Sequence, residues 1–422
     1  MFRANALFIV LVISLLIALI SSSLILVSFH YTSGYHENLL YKRLIRNAQS
    51  GINYLLADAG ELELNEERLI DLYGNGEDSI ALKRMNWGIF DMASVRAFSN
   101  NKEIVKVIEY GYKPDGETKC AIYLTNSIYE LILAGNTLIK GTCYLPDKGV
   151  DRSNNGAMYF TGTKLIHGEF KKSDSKLPEL NHKIKEKILS LLEKKFPEAE
   201  FEKITELEKD TLVRSFSEKT ILIFQRNEIS RKQLSGNIIV SSDTLLRITK
   251  DNNLNDILIF ARSVEIQSGF KGKVQIFAMD SIVVGENVEL GYPSVLGVFQ
   301  RDFKITQPFI KVSKSSRIDG IVFSSQSGLD LMKQPAKGRY QTMIHFDKGS
   351  FLHGLLYADG YADINGIIHG TVLCNKFWLK TPDIQENCLF NTTIDVTKLS
   401  PNFIGSSLLT SEKKKRIIKW ME

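Results

Sequence analysis

Formal charge is missing from one end of this chain. From Ala4 to His36 there is no Asp, Glu, Lys or Arg. Cysteine is scarce, with four in 422 residues, and none forms a CxxC pair, which argues against a zinc site. No phosphate-binding loop, GxSxG elbow or HExxH pair occurs, so the motif-bearing nucleotide-binding, hydrolase and zinc-protease classes drop out. The net charge of +5 is small for this length, and no basic stripe interleaved with aromatics appears. Nucleic acid is therefore not an expected partner.

The charge-free run holds the apolar stretch Ala6–Phe29, broken only by serines and alanines. A helix rises 1.5 Å per residue, so about 20 apolar residues cross a hydrocarbon core of roughly 30 Å. The serines are tolerable because their hydroxyls bond back to helix carbonyls. A cleavable signal has a shorter core of about 7–15 residues. The length therefore predicts a retained anchor rather than cleavage near Ser21-Ser22-Ser23 or a buried soluble helix. Arg3 lies on the short side, and Lys42, Arg43 and Arg46 on the long side, opposed by Glu37. A count of basic residues puts the long side in the cytoplasm. The exported character of the remaining chain argues for the short end inside, and that orientation is adopted here.

From Leu39 a helical stripe follows: Leu39, Leu40, Leu44, Ile45, Ala48, Ile52, Leu55, Leu56 and Ala59 recur at steps of three and four. Arg43, Arg46, Asn47, Gln49 and Asn53 are assigned to the opposite face, and Gly34 is a candidate kink. One long helix is expected, apolar first and then amphipathic. Glu61 to Gly76 reads as helix plus loop. Short strands follow from Asn86, among them Val105–Tyr110, Ala121–Leu124 and Leu138–Leu145, separated by turns such as Pro146-Asp147-Lys148-Gly149. Asn181 caps an expected helix to about Phe196, with Ile184, Ile188, Leu191 and Leu192 on one face. Strands dominate again from Thr220 to about Asn375. The tail Glu412–Met421 reads as a basic amphipathic stretch, most simply a solvated terminal helix.

One element recurs: an aliphatic residue, any residue, then glycine. It appears at Ile139-Lys-Gly141, Ile166-His-Gly168, Leu234-Ser-Gly236, Ile318-Asp-Gly320, Leu352-His-Gly354, Ile364-Asn-Gly366 and Ile368-His-Gly370. The copies that align best centre on Gly320, Gly354 and Gly366, and a rung of about 16–18 residues is expected. The physical account is a parallel β-solenoid with glycine at tight corners and the aliphatics stacked inward. An antiparallel sandwich is the alternative. The fold class expected is mainly β: an N-terminal transmembrane and amphipathic helix over 1–60, a β-rich region over 61–176, a helical insertion over 177–210, a solenoid-like domain over 211–400 and a basic tail over 401–422.

Candidate chemistry is thin. His167, His353 and His369 all precede a repeat glycine and would stack on one face, where three imidazoles make a zinc site. Asp347, Asp359 and Asp363 offer the paired carboxylates of glycoside hydrolysis, although turn aspartates commonly bond their own backbone. Neither pattern is strong enough to assign a catalytic, metal or cofactor site. Cys120–Cys143 and Cys374–Cys388 are plausible bridges in an oxidising compartment, and four buried free thiols are the other reading.

The segment Arg3-Ala4-Asn5-Ala6-Leu7-Phe8-Ile9-Val10, its serine-dotted helix, and Asn47-Ala48-Gln49-Ser50-Gly51-Ile52-Asn53-Tyr54-Leu55 together resemble minor pilins and type II secretion pseudopilins over about residues 1–57. The resemblance implies a non-enzymatic envelope protein of a Gram-negative bacterium, seated in the inner membrane with its β-rich ectodomain in the periplasm or at the surface. Its implied partners are the lipid bilayer and other envelope or pilus-like assembly proteins. Leu7, Val10, Ile13, Leu16 and Ile17 would form the membrane and assembly helix. Two departures stand out. Ala4 occupies the position where the family's peptidase cuts after glycine, and Ile9 the position where major subunits carry glutamate, as tip-type members also lack it. The repeats are similar to bactofilin-type and other solenoid scaffolds. Two alternative functions follow: a membrane-tethered carbohydrate-active β-helix enzyme, and a solenoid scaffold polymerising at the membrane.

Overall fold

The computed structural model describes the chain apart from residues 1, 58–62, 75, 77, 100–101, 155, 205–208, 301–305, 327–340, 381–384, 410–413 and 422, and apart from the side chains of 2–5 and 157. The side chains of the expected processing site at Ala4 and Asn5, residues 61, 62 and 75, and the start of the tail lie outside the described residues; the described part of the Glu61–Gly76 region holds a strand, Glu67–Asp71, and no helix. The chain is mainly β and divides into two compact units, residues 1–83 with 94–106, and residues 84–93 with 107–422.

The first unit is built on helix α1, Phe2–Leu56, which runs through Gly34 without a break. Beside it lie strand β1, Glu67–Asp71, and parts of three longer strands: β2, Ser79–Trp87; β3, Phe90–Ser99; and β4, Lys102–Tyr112. β1 pairs antiparallel with β2, Ile70 facing Ile80. Leu44, Ala48, Ile52 and Leu55 of the helix are buried, as the stripe predicts, but Leu39 and Ile45 remain exposed. Asn47, expected on the polar face, is buried. The docked face is thus narrower than the stripe and rotated toward Asn47. Gly51 lies on it: a β-carbon there would run into Ile80, Leu82 and Val95.

In the second unit, parallel strands stack into a solenoid-like sheet. The repeat element sets its register, with Gly320 facing Gly354 and Gly354 facing Gly370. Gly370 therefore takes the place expected for Gly366. The step from Gly354 to Gly370 is 16 residues and is a single rung. The 34-residue step from Gly320 is also one rung, since Gly320 and Gly354 are direct neighbours. The glycines are required by close approach. A β-carbon on Gly354 would meet the carbonyl oxygen of Gly320, and one on Gly370 the carbonyl oxygen of Gly354. Both also hold positive φ, 150° and 156°.

The aliphatic of each copy points inward and stacks. One column runs Leu290, Ile318, Leu352, Ile368, Ile394, Ile139. A second runs Ile223, Val240, Ile259, Ile276, Leu296, Val322, Leu356, Val372, Ile122 and Cys143. Where Gly272 stands in register with Leu290, the buried ring of Phe270 fills the space a side chain would take. The stack does not follow chain order. Ile122–Leu124 pairs with Ile367–Leu379, and Leu138–Lys140 pairs with Thr393–Asp395, so strands from the 122–172 stretch extend the same parallel stack as those of 211–400.

The outward side of the second strand row is apolar as well. Phe260, Phe277, Phe323, Tyr357, Leu373 and Tyr123 lie along it and are buried. The connecting segment covers them. Tyr123 and Tyr357 donate their hydroxyls to the carbonyls of Lys176 and Pro178 at 3.2 and 3.0 Å. Helix α2, His182–Leu192, then buries Ile184, Ile188, Leu189, Leu191 and Leu192. Asn181 caps it as predicted, accepting from the amides of Lys183 and Ile184. The tail differs from expectation: Lys415–Met421 is a strand paired antiparallel with β4, not a helix. Its β-branched Ile417 and Ile418 suit a sheet edge.

Replacing Gly354 with Ala should lower the urea midpoint of the purified chain, at a cost of about 2–4 kcal/mol from the closed carbonyl approach and the backbone conformation. An unchanged midpoint would contradict this register.

Candidate functional site

α1 has two halves with opposite surroundings. Leu7, Val10, Ile13, Leu16 and Ile17 are between 50% and 72% exposed, and nearly all of the helix up to Leu39 is open. The helix is long and apolar enough to cross a membrane. The second half is fixed to the first unit's strands by a polar lock set among apolar contacts. Arg43 Nε donates to Asp78 Oδ1 at 2.6 Å, and Asn47 Nδ2 donates to the same oxygen at 2.6 Å. Asp78 is almost fully buried, so its carboxylate depends on these donors for the solvation it has lost. Nearer the apolar half, Lys102 pairs with Glu37 at 3.0 Å. A surface pair of this kind adds little stability.

Of the three aspartates singled out, the structure brings two together. His345 Nδ1 bonds Asp363 Oδ2 at 2.7 Å, and Nε2 bonds Asp347 Oδ1 at 2.6 Å. Parallel register produces the arrangement: Lys311, His345 and Asp363 occupy successive rungs. Lys311 reaches Asp347 at 3.5 Å, and Asn365 donates to Asp363 at 2.9 Å. The bond to Asp363 raises the His345 pKa, against a smaller opposing effect of burial. With a carboxylate on each nitrogen, the ring has no free position for a third group. Asp359 stands apart from them. It accepts from the Gln326 amide at 2.8 Å and from Asn375 at 3.2 Å, and burial pushes it up to about 6.

The histidines before glycine also divide. His353 and His369 face each other on adjacent rungs, and Asp319 faces His353. Their partners differ. His353 Nε2 accepts from the Ser400 amide at 3.2 Å, whereas His369 sits edge-on to Phe351. Burial, with Lys398 nearby, lowers the His369 pKa. His167 bridges to Lys140 further along the stack. Among the described residues no group of three or more His, Cys, Asp or Glu is placed to hold a metal ion.

All four cysteines are free and buried, and neither expected bridge is present. Cys143 and Cys374 occupy inward stacking positions. Burial is the main cause raising all four thiols, with Cys143 pushed up to about 12 and Cys388 to about 11. Thiols so raised are poor nucleophiles. A shallow groove of about 540 Å³ is lined by Tyr129, Glu130, Asp151, Arg152 and Glu386, the last paired with Lys376 at 3.0 Å. The sequence did not mark this groove, because its residues come from three separated stretches.

Two outcomes test these geometries. Asp78→Ala should speed amide hydrogen exchange across residues 43–56 by roughly tenfold or more, since bonds to a charged group contribute about 1.5–3 kcal/mol. Equal protection in the variant would show the lock to be idle. For His345 the folded pKa is raised, so its stabilising contribution is complete below the ordinary value of 6.5 and is lost as pH rises through the folded value. The urea midpoint of the native chain should therefore fall toward that of His345→Gln as pH rises through this window. Parallel profiles for the two proteins would refute the coupling.

Comparison of the chain with protein-family models, with curated proteins and with solved structures returned no match.

Proposed function

We propose that this chain is a non-enzymatic, single-pass envelope protein, a minor-pilin-like or pseudopilin-like assembly subunit with a β-rich ectodomain. The observation that carries this reading is the division of α1. Its first half is apolar, charge-free and exposed, while its second half is locked onto antiparallel strands by Arg43, Asn47 and Asp78. A helix built this way has one half that must find a lipid or protein partner and another that transmits its position to the folded chain. In a bilayer the first half sits without desolvating a charge. In a filament the same surface packs against neighbouring helices. The inner membrane, with the ectodomain in the periplasm or at the cell surface, is the location this reading assigns.

The engagement of Asp347 and Asp363 with one histidine, and the separation of Asp359 from both, favour a structural over a glycoside-cleaving role. The parallel stack keeps the scaffold reading as the second choice, because a solenoid presents free strand edges where its stacking stops.

Leu16→Arg tests the proposal. A central arginine costs a membrane helix about 2.5–3.5 kcal/mol on insertion scales. The variant should shift from the membrane fraction toward the soluble fraction or be degraded, and unchanged fractionation would count against the anchor. Mass spectrometry of the mature N-terminus separates the two forms of the reading. A start at Asn5 supports a pilin-type subunit, and a start at Met1 supports a plain anchor.

A further inference from the structure

In the second unit three ionisable side chains from distant parts of the sequence meet. Glu109 of β4 faces Lys419 of the terminal strand as a cross-strand pair. Register slips between Ile417 and Lys419, and this redirects the lysine. Asp256 falls in a second register slip, between Asn255 and Ile257, and holds a left-handed φ of 63°. Two irregularities on two strands therefore turn an amine and a carboxyl toward each other. The Lys419 ammonium lies in direct contact with Asp256 Oδ1, and 3.6 Å from Glu109 Oε2. Both of those oxygens are closed to solvent. Trp87 stands over the site, its indole N–H donating to the Asp256 carbonyl at 2.9 Å. Trp87, Val274 and Pro293 help wall a cavity of about 10 Å³, close to the space of a single water.

This is more than an ion pair needs. Two carboxyls share one close ammonium, and Glu109 is fully enclosed. Burial, opposed by Lys419 and reinforced by Asp256, pushes Glu109 up to about 7, so its carboxyl gains and loses a proton near neutrality.

We propose that Lys419 and Asp256 join through an intramolecular amide bond, with Glu109 as the proton-transferring acid. The ammonium of Lys419 gives a proton to the Asp256 carboxylate, leaving an amine and a carboxylic acid. The transfer leaves the net charge of the pair unchanged, and the Asp256 and Glu109 oxygens that face the amine are closed to solvent. Nζ then attacks Cγ of Asp256, while Glu109 donates a hydrogen bond to the oxygen on which charge develops. Glu109 carries a proton from the nitrogen to the departing hydroxyl. The C–O bond breaks, one water leaves, and the products are a secondary amide and a regenerated Glu109 carboxyl. No oxidant, reductant or cofactor is consumed. Lys273, at 4.0 Å from the same aspartate oxygen, is the more distant amine. The bond would tie the terminal strand covalently to a solenoid rung, and a link between residues so far apart in sequence strongly restricts the unfolded chain.

The test is tandem mass spectrometry of a tryptic digest of the full chain purified in detergent. The expected result is one branched species joining the Lys419 and Asp256 peptides, lighter than their sum by one water and uncut at Lys419. Two linear peptides of unaltered mass from the folded wild-type protein would overturn the proposal. So would a branch at Lys273, or a water lost within the Asp256 peptide alone. Glu109→Gln, which preserves shape, should return the linear peptides, and a complete branch in that variant would overturn the role of Glu109. The wild-type digest decides the bond itself even if the variant does not fold.

Discussion

Apolar surface has to leave water, and this fold buries it in two places and leaves it open in a third. The inward columns of the solenoid-like sheet bury it by stacking aliphatic residues rung upon rung. The aromatic row on the outside of that sheet is buried under the segment that ends in α2. Among the described residues, the first half of α1 leaves its apolar side chains exposed over many consecutive turns. At about 25 cal/mol per Å² of apolar surface, leaving this face in water is costly. The first two surfaces are satisfied within the fold. The third needs something outside it, and that need sets the functional reading.

Parallel register governs the polar groups as firmly as the apolar ones. Because each rung repeats the direction of the last, a residue at one depth meets its counterpart on the next. That is how Lys311, His345 and Asp363 come to lie in line, and why His353 stands between Asp319 and His369. Ion pairs arise the same way: Lys271 faces Glu289 and Arg247 faces Glu265, each pair joined by a salt bridge. The chemistry proposed for Lys419 and Asp256 arises where register fails, at two irregularities that aim side chains away from the repeating pattern.

The sequence was most legible where one physical term dominates. The charge-free run, the α2 cap at Asn181 and the aliphatic-x-glycine element each follow from a local rule, and each has its counterpart in the structure. Asn47 was misassigned because polarity alone placed it, whereas a buried carboxylate at Asp78 holds it on the docked face. Gly366 stands in the aligned copies where the structure puts Gly370, because both follow an aliphatic and one further residue and only strand register tells them apart. The tail carries the charges of a solvated helix, but Ile417 and Ile418 favour a strand and the edge of β4 pairs with it. Glu109, Asp256 and Lys419 could not have been found from spacing, since the fold alone brings them together.

Native membranes washed in alkaline carbonate give the most direct test of the central claim, that the open half of α1 resides in lipid. Retention of the intact chain in the pellet, with release only by detergent, is the predicted result. Recovery of the chain in the wash without detergent would contradict the account.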